Sequence, residues 1–143
     1  MTGAPLLSVD NLTVDFHSIT DAFRATEGIT FSVNAGETLV ILGESGSGKS
    51  VSASAIMGIL DTPPGEIVSG VIRYRGDDIT HMPERRRRVL NGSKVAIIFQ
   101  DPLSHLNPVY TVGWQLAEVF TEHKKASRAE ARARSIDILR RVG

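Results

Sequence analysis

Cysteine is absent from this 143-residue chain, so no disulfide and no thiolate-ligated metal site can form within it, and a reducing compartment is compatible. Long apolar runs are missing too. None approaches the roughly 20 residues that span a bilayer. The opening residues, MTGAPLLSVDN, lack the basic start and apolar stretch of a secretory signal. A soluble cytosolic chain is therefore expected. The four histidines, His17, His81, His105 and His123, have no metal-ligand spacing.

Net charge is zero, but the balance is uneven. Residues 1–61 hold seven acidic and two basic side chains, and residues 62–143 hold nine acidic and fourteen basic ones. Such asymmetry can mark a nucleic-acid face. The strongest candidate is the run Arg85-Arg86-Arg87-Arg88. Its simpler reading is the solvated side of a short helix anchored by Val89 and Leu90. The aromatics that would interleave with it for base stacking are lacking, which favours that reading.

What the chain does have is Gly43-Glu44-Ser45-Gly46-Ser47-Gly48-Lys49-Ser50, a match to the phosphate-binding pattern G-x-x-x-x-G-K-[S/T]. Small residues leave the backbone clear, so consecutive N–H groups can close around a phosphate. Lys49 then supplies a point charge to the β- and γ-phosphates, and the Ser50 hydroxyl can ligate Mg²⁺. By chance the pattern occurs in roughly one chain of this length in two hundred. The flanks add weight. Glu37 to Leu42 is an apolar, β-branched run that reads as a buried strand, and Val51 to Leu60 reads as a helix. The helix N-terminus would bring about half a positive charge to the phosphates. A plain Gly/Ser turn with a solvated Lys49 explains less of this arrangement. A bound nucleoside triphosphate is expected.

Leu6 to His17 alternates around an Asp-Asn turn signal and reads as one or two exposed strands; Phe23 to Val33 reads as a strand pair or one bent strand. Both suit an antiparallel edge sheet. Asp61-Thr62-Pro63-Pro64-Gly65 is a breaker, Gly70 to Gly76 a half-exposed strand, and Lys94 to Phe99 a second buried strand. Thr111 to His123 then reads as a helix with Val112, Leu116, Val119 and Phe120 on one stripe. Ser127-Arg128-Ala129-Glu130 is a capping box opening a last helix, which presents Ala129, Ala133, Ile136 and Leu139 along one apolar face. An α/β nucleotide-binding domain continues with further strand–helix units. No apolar run ending in a carboxylate follows the loop to hold Mg²⁺ and polarise water. The expectation is a truncated part of a larger domain.

These motifs together resemble the ATP-binding subunit of ABC transporters, within the dipeptide/oligopeptide importer branch. The matching stretches are Gly36-Glu37-Thr38, the loop with Val51 following, Gly70 to Arg75, and Phe99-Gln100-Asp101-Pro102 continuing through Leu106-Asn107-Pro108 to Thr111-Val112-Gly113. The loop alone is shared by many ATPases, whereas the phrase at residues 99–113 is specific to the peptide branch. The resemblance implies an α/β fold: a P-loop NTPase core with an antiparallel β edge subdomain over about residues 1–101, and the start of a helical subdomain over about 102–143.

The same resemblance implies ATP and Mg²⁺ as cofactors, held by Gly43 to Val51. It makes Lys49 and Gln100 the catalytic residues and Ser50 and Gln100 the Mg²⁺ ligands, Gln100 being the Q-loop glutamine. Phe16 matches the aromatic that stacks on adenine, with Phe23 competing for the role. Implied partners are transmembrane permease subunits, reached through the segment after Gln100, a second ATPase subunit, and a peptide-binding protein indirectly. Tyr110 and Trp114 either lie near the permease contact or, the simpler reading for aromatics on a helix face, are buried supports for the helix pair. No nucleic acid is implied, and the place is the cytoplasmic face of the membrane. The signature LSGGQ, the Walker B strand, the D-loop and the switch histidine do not occur in the chain, so these residues are expected to bind ATP but not to hydrolyse it alone. Two alternatives stay open: a soluble ABC-type ATPase acting on nucleic acid or ribosomes, and an inactive truncated product. Peptide, nickel and glutathione importers have similar ATPases, so the solute is open as well.

Overall fold

A computed structural model describes residues 4–143, which divide into two compact units at Val89/Leu90. The first unit is built on a four-stranded antiparallel sheet of order β2-β1-β3-β4, with β1 Leu7–His17, β2 Ala22–Val33, β3 Gly65–Tyr74 and β4 Asp77–Asp78. Helix α1, Lys49–Met57, lies against β1 and β2, and α2, Glu84–Leu90, closes the unit.

The Asp-Asn signal in β1 is a bulge, and the strand continues through it. Asn11 takes φ 52°, and the register with both neighbours shifts around it. The shift turns Leu12 inward beside Val9 and Val14, and these three with Ile72 are the largest fully buried side chains. Gly70 is what allows this. A Cβ there would sit 2.5 Å from the Asn11 carbonyl oxygen and the Leu12 Cα, so the bulged backbone and β3 meet where no side chain fits.

Two expectations of strand fail. Neither Thr38–Leu42 nor Lys94–Phe99 forms a ladder; the one pairing near them is the isolated bridge Asn91↔Val95. Their side chains stand open, with Leu42 87% and Ile98 92% exposed. A parallel core strand has no intrinsic pairing and is held by neighbours on both sides. Among the described residues these two runs have no strand partner beyond that single bridge.

The second unit is a helical hairpin, α3 Val112–Lys124 and α4 Arg128–Val142, which pack on each other. Both starts follow the sequence: Thr111 Oγ1 accepts from Trp114 N at 3.2 Å, and Ser127 Oγ accepts from Glu130 N at 3.3 Å. In α4 the buried residues are Ala131 and Ser135, while the apolar face of Ala129, Ala133, Ile136 and Leu139 is exposed, and α3 buries none of its stripe. Small side chains let the two helices approach, and Ser135 satisfies itself on the Ala131 carbonyl at 2.8 Å.

Candidate functional site

The loop from Gly43 to Ser50 leads into the N-terminus of α1, with Gly48 as the residue before the first turn. Gly46 and Gly48 take φ 82° and 85°, left-handed values that few residues other than glycine adopt at low cost. Gly48 is also pressed on β2: a Cβ would fall 2.5 Å from the Ala25 carbonyl oxygen and from Thr26 Cγ2. Thr26 is itself pinned, its Oγ1 accepting from Val14 N at 3.0 Å. The loop is thus registered on the sheet through backbone contact.

Lys49 folds back across the loop. Its Nζ donates to the carbonyls of Gly43 and Glu44 at 2.7 and 2.6 Å and to Ser47 Oγ at 3.1 Å. The helix has no acidic residue in its first turn and no side-chain cap, so its leading N–H groups and the ammonium lie together with no carboxylate to neutralise them. Glu44, Ser45 and Ser50 are exposed, and Val51 is half-buried on the first turn. This arrangement can hold a polyphosphate, because positive charge and unsatisfied amides converge on one small-residue loop.

Phe16 and Phe23 are cross-strand partners at the end of the β1–β2 ladder, their rings stacked with centroids 6.0 Å apart. Phe23 is 61% exposed. The two residues that compete for one role in the sequence therefore form one aromatic surface.

Gln100 belongs to the second unit and is exposed. The loop around it is organised by local bonds. Asp101 Oδ1 accepts from the amides of Leu103 and Ser104. His105 stacks on Phe99 at 3.9 Å with the planes 7° apart. Farther on, Gln115 holds the loop to α3: its Oε1 accepts from Asn107 N, and its Nε2 donates to the carbonyls of Asn107 and Tyr110, each at 3.0 Å. Tyr110 and Trp114 stack at 4.1 Å and remain about half exposed.

The arginine run resolves into different roles. Val89 is 73% exposed and so is not the buried anchor of α2; the inward residue is Arg87, at 4% exposure. Its guanidinium donates to the carbonyls of Ala55, Ile56 and Met57 at the end of α1 and to that of Ile79. Burial holds its pKa below the ordinary guanidinium value. Arg88 pairs with Glu84 one turn earlier at 2.6 Å. A basic stripe for a polyanion is thereby reduced to Arg85 and Arg86. Sequence reasoning missed Arg87, although a signal exists: it lies four residues after Pro83 and three before Leu90, on one helical face.

No helix among the described residues is long and apolar enough to cross a membrane. Groups of three or more His, Cys, Asp or Glu able to hold a metal are also lacking among them.

Comparison with known proteins places this geometry. The dipeptide transport ATP-binding protein DppD of Escherichia coli (strain K12) is 46% identical over 138 residues, covering 96% of this chain and 42% of that protein. The oligopeptide transport ATP-binding protein OppD of Bacillus subtilis (strain 168) is 40% identical, covering 96% of this chain and 38% of that one. The chain thus spans about two-fifths of the length of these relatives. An ATP-binding cassette solved as a dimer in a post-hydrolysis state with ADP and Pi shares the fold, with a TM-score of 0.78 at 21% identity over 94% of this chain and 56% of that one. The ABC transporter family model matches residues 26–143. On that match, and with an α/β fold to go with it, the chain belongs to the ABC transporter family.

Proposed function

We propose that this chain is the nucleotide-binding part of an ATPase subunit that powers peptide import. The observation that carries it is the Lys49 ammonium held by Gly43, Glu44 and Ser47 oxygens at the uncapped N-terminus of α1. Phosphate oxygens are stronger partners for that ammonium than the backbone carbonyls it now meets. The loop amides and Lys49 bind the β- and γ-phosphates, and the Phe16–Phe23 surface takes the adenine.

The residues fit Mg²⁺. It is a hard cation that keeps several waters and takes a few oxygen ligands beside substrate phosphates, so the Ser50 hydroxyl can serve it where no carboxylate cluster exists among the described residues. Bound there, the ion would neutralise phosphate charge. Ser50 offers its hydroxyl from the exposed first turn of α1; the Gln100 amide, in the second unit, is a further ligand that the family resemblance implies.

The names of the peptide-transport relatives support peptides as the solute; permease subunits and a second ATPase subunit as partners, and the cytoplasmic membrane face as the place, follow from the family resemblance. ATP would close the paired subunits and hydrolysis reopen them, the motion passing to the permease through the segment after Gln100. With Arg87 buried and Arg88 paired to Glu84, the arginine run gives the nucleic-acid alternative little to stand on. Lys49→Ala should abolish ATP binding, measured by titration calorimetry; unchanged affinity would sink the assignment.

A further inference from the structure

Helix α1 lacks the charges that steady a short helix: no acidic residue in its first turn, no basic one in its last. The cation at its far end comes from α2 instead. Arg87 donates through Nε to the Met57 carbonyl at 3.2 Å and through Nη2 to those of Ala55 and Ile56. These carbonyls close the last turn, where intrahelical donors run out and the dipole is negative. Nη1 reaches the Ile79 carbonyl at 2.8 Å, just past β4. Room for the guanidinium comes from Gly58, where a Cβ would lie 2.5 Å from Arg87 Nε.

We propose that Arg87 is a positioning residue for the triphosphate site: it clamps the C-terminal turn of α1 to the sheet edge and so fixes where Lys49, Ser50 and the leading amides stand. This rests on the phosphate-site reading above. The lever is short. Nine residues make a rod of about 13 Å, so a tilt of only about 5° at the Arg87 end moves Lys49 by about 1 Å. Displacements of that size weaken the action of preorganised groups by up to about a hundredfold. Arg87 touches no part of the loop, which separates its role from that of Lys49.

The test measures MgATP affinity on the full chain by titration calorimetry for the wild type, Arg87→Met, Gly58→Ala and the double variant. Val9→Ala, from the β1 core, serves as a variant of similar thermal instability, and all are compared at a temperature where each is folded. Arg87→Met and Gly58→Ala should each weaken binding roughly tenfold, and the double variant no further, since both release the same clamp. Val9→Ala should bind like wild type, and Arg87→Lys should recover part of the loss. Should Arg87→Met fail to fold, Arg87→Lys carries the same comparison. Wild-type affinity in Arg87→Met, or an equal loss in Val9→Ala, overturns the positioning role and leaves the phosphate site standing. A wild-type chain that binds no MgATP overturns both.

Discussion

Two independent demands fall on Gly48: a left-handed backbone, φ 85°, and a face pressed on Ala25 and Thr26. Gly48→Ala should therefore cost the left-handed penalty of about 1–2 kcal/mol and more for the clash, read as a lower urea midpoint; an unchanged midpoint would contradict the contact. Acid sensitivity has named sources too. Asp78 is held below the usual carboxylate range chiefly by the Thr80 hydroxyl, then by the Thr80 amide, and Asp15 chiefly by its hydrogen bond from Arg24. Their folded-state pKa values lie below the unfolded ones, so their stabilisation is present above the unfolded value of about 3.9 and fades as pH falls through the folded value. Thermal melts from neutral to acid pH should show that decline, and Asp78→Ala should make it shallower. The loop was legible in the sequence because its chemistry is local: spacing, small residues and Lys49 stand within eight positions. Arg87 was not, since four identical neighbours hide which one turns inward, and the carbonyls that draw it in are about thirty residues away.

Among the elements, legibility followed how much of each is decided by its own residues. Thr111 and Ser127 start their helices where the sequence says, because a cap acts within three residues. Thr38–Leu42 and Lys94–Phe99 have strand composition but lack strand neighbours among the described residues, and composition alone forms no ladder. The buried pair of α4 was not legible for a related reason: Ala131 and Ser135 are chosen by how closely α3 approaches, not by hydrophobicity. With so little buried between these helices, their caps should matter. Thr111→Ala and Ser127→Ala should each cost about 1 kcal/mol, seen as reduced amide protection of the first turns in hydrogen exchange. Full protection in either variant would assign the start of that helix to packing.

For the molecule as a whole, exposed apolar side chains are the dominant surface feature: Val40 and Leu42 in the first unit, Ile98 and Leu103 in the second, each at least 69% exposed. Large apolar side chains exposed to this degree mark contact sites or aggregation risk. The isolated chain should bind a hydrophobic dye, and Val40→Ser with Leu42→Ser should lower that signal while leaving the four-stranded sheet intact by circular dichroism. Undiminished fluorescence would place the dye elsewhere. The contact of Gly48 with β2 has one more consequence. The aromatic pair ends at Phe23 and the glycine contact falls at Thr26, three residues along one strand, with the register shift opposite Val14 and Asp15 between them. That stretch is about 10 Å of backbone. On the proposed reading, with adenine on the Phe16–Phe23 surface and phosphates on the loop, this strand would act as a gauge, setting the span between the two ends by counting residues.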